Sequence, residues 1–274
     1  MQETDVVSKE AVREFQEQGV VCLRGLFEPR WLDLLAEGVE RNLREPGPLA
    51  KHYTPAGSPG RFFGDYCNWQ RIPEYRTFAF ESPAAAAVAD LLQTERVNFF
   101  HEHILVKEPG TRETTPWHHD QPYWTVDGTQ VCSLWLSLDP VSRDNCPEFV
   151  RGSHRWGVWY TPRRFVDHQD HPAADTAFIP VPDIGSNREL YDLASWELEP
   201  GDCLAFHALT VHGAPGNPTD RRRRAVASRW TGDDARFVLR PGFMSPPPPQ
   251  GAPPPGSPLD SEVFPVVFRR RPGS

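Results

Sequence analysis

The stretch of this 274-residue sequence with the clearest chemistry is Pro116-Trp-His-His-Asp120. One residue separates His118 from Asp120, and in an extended chain side chains at i and i+2 leave the same face. An imidazole nitrogen and a carboxylate oxygen can therefore converge on one point. His119 faces the opposite way, so His118 is the expected ligand of the pair. A third group stands about ninety residues on, in Phe206-His-Ala-Leu-Thr-Val-His-Gly-Ala-Pro-Gly-Asn217. There His212 closes an apolar strand just before a Gly/Pro/Asn turn, at the rim where sites are built. His207 is its rival: five residues earlier, it faces away from His212 on a regular strand. A His-x-Asp pair with a distant His is the facial triad of non-haem Fe(II) oxygenases, which leaves three metal positions open. Two of these can hold a bidentate 2-oxo acid and the third dioxygen.

Beyond the turn Asn217-Pro-Thr-Asp220 come the run Arg221–Arg224 and the strand-like Ala225-Val-Ala-Ser-Arg-Trp230. A strand–turn–strand unit returns its far arm beside the near one. An arginine on that arm can reach the outer carboxylate of a dicarboxylate through a bidentate, charge-assisted pair. Two or three of the four arginines in the run read as a solvated hairpin tip.

These side chains need a scaffold. Ser8 can cap a short helix that carries Val12 and Phe15 on one face and stops at Gly19. Pro29 opens a second helix, with Leu32, Leu35, Ala36, Val39 and Leu43 at helical spacing. Ser82-Pro83, ahead of four alanines, Val88, Leu91 and Leu92, starts a third. Residues 46–81 read as irregular. From about residue 97 short strands take over at 97–107, 131–138, 203–212 and 224–230, each bounded by Gly, Pro, Asn or Asp. Helices first and strands later, without a βαβ rhythm, predict an α+β chain, mainly β, built around an antiparallel sandwich or jelly roll. Residues 158–195 read as a lid-like excursion. Nine prolines between Pro241 and Pro258 predict an extended strap or tail, and Val263, Phe264 and Val266 to Phe268 an edge strand after it. The whole of 1–274 is expected to form one domain.

Composition bounds the partners. With 29 basic against 37 acidic residues, a net charge of −8, no nucleic-acid partner is expected. No run approaches the roughly 18 apolar residues of a membrane span, and mean hydropathy is −0.55, so no membrane partner is expected either. Met1-Gln-Glu-Thr-Asp5 lacks an apolar signal core. Five scattered cysteines without a Cys-x-x-Cys pair exclude a zinc ribbon and speak against a disulfide framework, so the expected location is cytoplasmic. Thirty prolines exclude an all-helical bundle.

Several stretches together resemble the phytanoyl-CoA dioxygenase family of Fe(II)/2-oxoglutarate oxygenases. They are Leu105-Val-Lys-Glu-Pro-Gly110, Pro116-Trp-His-His-Asp-Gln-Pro-Tyr-Trp124, Leu134-Trp-Leu-Ser-Leu-Asp139, Asp144-Asn-Cys-Pro-Glu-Phe-Val-Arg-Gly-Ser-His154, Pro200-Gly-Asp202 and His212-Gly-Ala214, in the family's order. The resemblance implies a double-stranded β-helix (jelly roll) over 97–232, with the mainly helical 1–96 packed against it. It implies Fe(II) on His118, Asp120 and His212, 2-oxoglutarate with its outer carboxylate on Arg223, and O2. Trp135 matches a tryptophan that packs on the co-substrate, His103 a co-substrate contact, and Lys107 a recurring lysine. The implied reaction couples decarboxylation of 2-oxoglutarate to succinate and CO2 with hydroxylation of an unactivated C–H of a small molecule, here expected to be a specialised metabolite. Related halogenases carry a small residue where Asp120 stands, so hydroxylation is the expected outcome. Two departures stand out: Cys146-Pro147 follows Asn145 where the family usually has Gly, and Ala214 replaces a serine that often donates to the co-substrate. Gly152-Ser-His154 reads as a supporting turn. The alternative is a cupin-like zinc-binding or hydrolytic protein using the same His/Asp/His set. Arg223 with Trp135 argues against it, since a zinc hydrolase needs neither.

Overall fold

In the computed structural model, which describes residues 6–171 and 177–270, the Ser8 hydroxyl accepts the Ala11 N–H and starts α1 (Lys9–Gln18). Gly19, at φ 75°, ends that helix in the left-handed conformation. The N-terminal stretch 1–5, residues 172–176 of the lid-like segment and the terminal 271–274 lie outside the described residues. Strand β1 (Val20–Leu23) follows, then α2 (Pro29–Arg44), with Pro29 in its first turn. Residues 46–81, expected to be irregular, hold β2 (Lys51–His52), β3 (Phe62–Tyr66) and α3 (Pro73–Glu81). All five residues of β3 are buried, so it shows none of the alternation that marks a half-exposed strand. Helix α3 mixes Glu74 with Tyr75, Phe78 and Ala79 among its buried positions, which blurs its period. Helix α4 (Ala84–Leu92) matches the capping signal at Ser82.

Strands β4 (Arg96–Lys107), β5 (Thr115–His118), β6 (Val126–Asp127), β7 (Val131–Ser137), β8 (Glu148–Val150), β9 (Leu193–Ala194), β10 (Cys203–His207), β11 (His212–Ala214), β12 (Arg223–Thr231), β13 (Arg236–Phe237) and β14 (Val266–Arg269) complete the chain. An eight-stranded sheet runs β1-β10-β7-β12-β4-β3-β2, with β14 also against β4; a four-stranded sheet runs β5-β11-β8-β9, and β13 pairs with β6. Each of these ladders is antiparallel. The large sheet is apolar on both faces, and alternation sorts its side chains between two cores. Leu134, Leu136, Ile104 and Val226 pack with helical Leu35, Phe78, Val88 and Leu91. Trp135, Leu204, Phe206, Ala225 and Ala227 pack instead with Phe149 of the small sheet. The fold is thus mainly β, with the N-terminal helices against one face of the large sheet.

The expected single strand over 203–212 is two strands in different sheets. The chain turns at 208–210, where Thr210 N–H donates to His207 O, and side chains take over the backbone's bonds: His207 Nδ1 accepts the Leu209 N–H and Thr210 Oγ donates to Gly19 O. No Gly or Pro stands at 207–211, so the sequence shows no break there. The proline-rich segment is a strap rather than a free tail, since Phe243, Ala252, Leu259 and Phe264 join a cluster with Phe100, Tyr123, Trp124 and Phe237. Among the described residues no helix is long and apolar enough to cross a membrane.

Candidate metal centre and active site

Strands β5 and β11 are neighbours in the small sheet, and their register sets His118 opposite His212. Asp120 lies just past β5, where its own N–H and that of Gln121 both donate to Ala208 O at the corner before β11. The chain turn that separates β10 from β11 therefore also fixes the carboxylate. One ligand atom from each of His118, Asp120 and His212 lies within 4.8 Å of the others, and all three residues are buried. The two Nε2 atoms stand 3.5 and 3.9 Å from Asp120 Oδ1. Their Nδ1 atoms lie 2.8 Å from Pro116 O and 2.9 Å from Thr210 O. A carbonyl can only accept, so the proton sits on Nδ1 and each Nε2 lone pair is left for the shared point. Ser133 Oγ donates to the other carboxylate oxygen, Asp120 Oδ2, at 3.2 Å. Phe149 and Phe206 pack on the His212 ring, and Tyr123 and Phe165 on that of His118.

Charge agrees with the geometry. Burial alone would raise the Asp120 carboxyl, but Arg229 and then the two imidazoles outweigh it and hold the group ionised, well below the usual carboxylate range. Burial, then His118, lowers His212 to about 3, so this imidazole is neutral. Two imidazole nitrogens and one carboxylate oxygen, converging in a buried site, form a donor set that fits a divalent iron with open positions.

A cavity of about 440 Å³ reaches His118 and Asp120. Tyr53, Tyr66, Tyr123, Trp124, Phe165 and Phe243 give it aromatic walls, and Lys51, Arg163, Arg164 and Arg229 line it as cations. Buried polar atoms without hydrogen-bond partners cluster on residues of this lining: His101 Nδ1, His103 Nε2, and Arg229 Nε and Nη1.

The structure brings His103 to this cavity, with burial and then Arg229 lowering its imidazole to about 3. Arg223 and Trp135 do not line it. Arg223 is 6 % exposed and donates to Asn145 O, to Asn145 Oδ1 at 2.7 Å and to Pro215 O at 3.3 Å. It borders a second cavity of about 330 Å³ beside Val141 and Leu198. Trp135 lies in the core between the sheets, opposite Ala227 of β12. His119 is turned away and accepts the Tyr160 N–H at 2.8 Å. His207 is tied to Thr129 O and the Leu209 N–H. Lys107 donates to Glu113 O and Pro215 O beneath the Phe62 ring, a structural arrangement. Ser153, in the supporting turn, donates to Val150 O and accepts the Val211 N–H, bracing the strand that carries His212.

Sequence reasoning passed over Arg229. Strand alternation was the available signal: 223, 225, 227 and 229 share a face, and a lone Arg follows two alanines there.

The family described as "Phytanoyl-CoA dioxygenase (PhyH)" matches residues 15–225. A probable phytanoyl-CoA dioxygenase of Caenorhabditis elegans is 26 % identical over 159 residues, 55 % of this chain and 49 % of its own length. The chain therefore spans about half the length of that relative. The peroxisomal phytanoyl-CoA dioxygenase of Bos taurus is 20 % identical over 257 residues, covering 86 % of this chain and 72 % of its own. Among solved structures, the non-heme alpha ketoglutarate dependent carbocyclase SnoK from nogalamycin biosynthesis superposes with a TM-score of 0.74 at 26 % identity, covering 96 % of this chain and 97 % of its own. The epimerase SnoN in complex with Fe3+, alpha ketoglutarate and nogalamycin RO has the same fold, with a TM-score of 0.73 at 22 % identity over 94 % of this chain and 98 % of its own. So has EctD from S. alaskensis with 2-oxoglutarate and 5-hydroxyectoine, with a TM-score of 0.71 at 17 % identity over 99 % and 90 %. Since the family match runs from within α1 to the start of β12 and takes in both strands of the triad, this chain belongs to the phytanoyl-CoA dioxygenase family, whose members depend on Fe(II) and 2-oxoglutarate.

Proposed function

We propose that this protein is an Fe(II)- and 2-oxoglutarate-dependent dioxygenase that hydroxylates an unactivated C–H bond of a small molecule, a specialised metabolite. The observation that carries the reading is the convergence of two Nε2 atoms on Asp120 Oδ1, with both Nδ1 atoms held by backbone carbonyls. We take His118, Asp120 and His212 as the metal ligands and the fold as a double-stranded β-helix, which the two antiparallel sheets sharing one core support. Iron, when bound, supplies dioxygen activation coupled to decarboxylation of the 2-oxo acid.

The chain's own residues do the positioning. Carbonyls of Pro116 and Thr210 fix both imidazole planes, and Ser133 holds the carboxylate, so the ligand atoms are set before any metal arrives. We assign the outer carboxylate of 2-oxoglutarate to Arg223, whose buried fork is steadied by Asn145 and Pro215. Trp135 packs on the same inner face, and His103 borders the cavity as a co-substrate contact. The aromatic walls exclude water from the reacting bond. Phe165, on the lid-like 158–195, stands 5.0 Å from the His118 ring and is part of that enclosure. The cavity's size suits a small molecule. SnoK and SnoN, both described as enzymes of nogalamycin biosynthesis, support a specialised metabolite as substrate.

Anaerobic addition of Fe(II) and 2-oxoglutarate should give a weak visible charge-transfer band. Admitting labelled O2 with substrate should bleach it and place label in the alcohol, with succinate formed in equal amount. Tight zinc binding, no band with Fe(II), and hydrolysis of a substrate without O2 would overturn this reading in favour of the zinc alternative.

A further inference from the structure

Arg229 is 5 % exposed. Its Nε and Nη1 are buried without an acceptor, and the carboxylate oxygen facing it, Asp120 Oδ2, stands 3.6 Å from Nε. The Trp124 ring lies 5.4 Å from the guanidinium carbon. A guanidinium is always charged and carries five donors, so leaving it buried without acceptors is costly. Asp120 cannot meet that need alone. Ser133 already donates to its Oδ2, and its Oδ1 faces both imidazoles. A divalent metal on the triad would draw on the same single negative charge. Arg229 would then be an uncompensated cation beside a second cation, and the cavity it lines would call for an anion.

The strand gives that anion a setting. Arg223, Ala225, Ala227 and Arg229 share one face of β12, and the bulge in its ladder falls only after Arg229. Two arginines thus bracket two small residues.

We propose that Arg229 is a second carboxylate-binding arginine of this site, taking a carboxylate in the cavity next to the metal position. Two acids can present that group: a 2-oxo acid, through the carboxylate beside its keto group, or an organic substrate bearing its own acid. Only the first rests on the oxygenase reading.

Calorimetric titration of the Fe(II)-loaded protein, kept anaerobic, separates the two. The probes are 2-oxoglutarate, pyruvate, 1-naphthoate and 1-naphthamide, tested on wild type, Arg229→Gln, Arg229→Lys and Arg223→Gln. If Arg229 serves the 2-oxo acid, Arg229→Gln weakens pyruvate and 2-oxoglutarate alike, by about 10- to 100-fold. The charge-transfer band then shifts, Arg229→Lys recovers part of the loss, and Arg223→Gln weakens 2-oxoglutarate but not pyruvate. If it serves a substrate acid, both oxo acids bind Arg229→Gln normally and the preference for naphthoate over naphthamide disappears. Should Arg229→Gln not fold, the same comparison is made with Arg229→Lys. The proposal is overturned if every probe binds the variant as it binds wild type, if wild type binds no acid, or if the variant's only defect is loss of iron. That last result would make Arg229 a positioning residue for Asp120. Failure of the oxygenase reading looks different: naphthoate binds through Arg229, yet 2-oxoglutarate gives no band.

Discussion

At the scale of single residues, the site divides histidines that are free to ligate from histidines already committed. His118 and His212 spend Nδ1 on a carbonyl and keep Nε2, whereas His119 and His207 spend Nε2 on the backbone. Alanine at 118, 120 or 212 should therefore abolish iron binding and turnover while the protein still melts cooperatively. Alanine at 119 or 207 should keep the iron and instead lower stability by about 1–3 kcal/mol, the cost of an unmet buried backbone group. Metal analysis beside thermal melts separates the classes, and a His207→Ala protein without iron would reverse the distal assignment. The juxtaposition of His118 with Asp120 was legible because residue alternation is a local property of an extended chain. That of His212 was legible from its turn, but not for the reason of strand parity, since His207 and His212 lie on different strands. Strand alternation put Arg229 on the face of Arg223, but nothing local marks an arginine as lacking an acceptor, so its part in the site was not legible.

At the scale of elements, the end of α1 and the distal histidine are mechanically joined. Gly19 closes the helix with its carbonyl turned to the corner before β11, where it accepts from His207 N–H and Thr210 Oγ. A Cβ at Gly19 would lie 2.3 Å from His154 Nδ1 and 2.5 Å from Thr210 Oγ1. Thr210 is also the residue whose carbonyl orients His212. Gly19→Ala should thus cost about 1–3 kcal/mol, from positive φ together with overpacking. It should also weaken iron retention although it lies in no ligand strand. Denaturant melts and iron titration test the pair of effects, and a destabilised protein with normal iron affinity would break the link. Serine caps, first-turn prolines and apolar spacing made three helices readable, and Gly/Pro punctuation made the long strands readable. Strand β3 was hidden because it is buried throughout, which erases the period that a single chain displays, and the split between β10 and β11 because side chains rather than Gly or Pro make that corner.

At the scale of the whole molecule, buried titratable groups set a pH window for the metal-free protein. Burial and then Arg229 hold His101 well below and His103 at about 3, against 6.5 unfolded. Below pH 6.5 the unfolded chain therefore takes up protons that the native state refuses, and stability falls with falling pH by up to about 1.4 kcal/mol per unit for each fully buried imidazole. Glu102 works oppositely: burial raises it to about 8, so ionisation of the unfolded chain above pH 4.5 erodes stability as pH rises to that value. The melting temperature should peak at slightly acidic to neutral pH and drop on both sides, steeply on the acid side. Scanning calorimetry of the apo-protein tests this, and a flat profile from pH 5 to 8 would contradict it.

The strap has a different consequence, for how such a protein could change over generations. Phe243 and Ser245 border the cavity from outside both sheets, and Ser245 is anchored by its N–H on Tyr123 O and its hydroxyl on Tyr66. The wall that meets a ligand is thus partly supplied by a segment remote in sequence from every strand that carries the triad. If His118, Asp120 and His212 hold the metal as proposed, substitutions along the strap would reshape what fits without touching them. On the proposed function, selectivity and reactivity would lie partly on separate stretches of one chain, and the first could drift without the second.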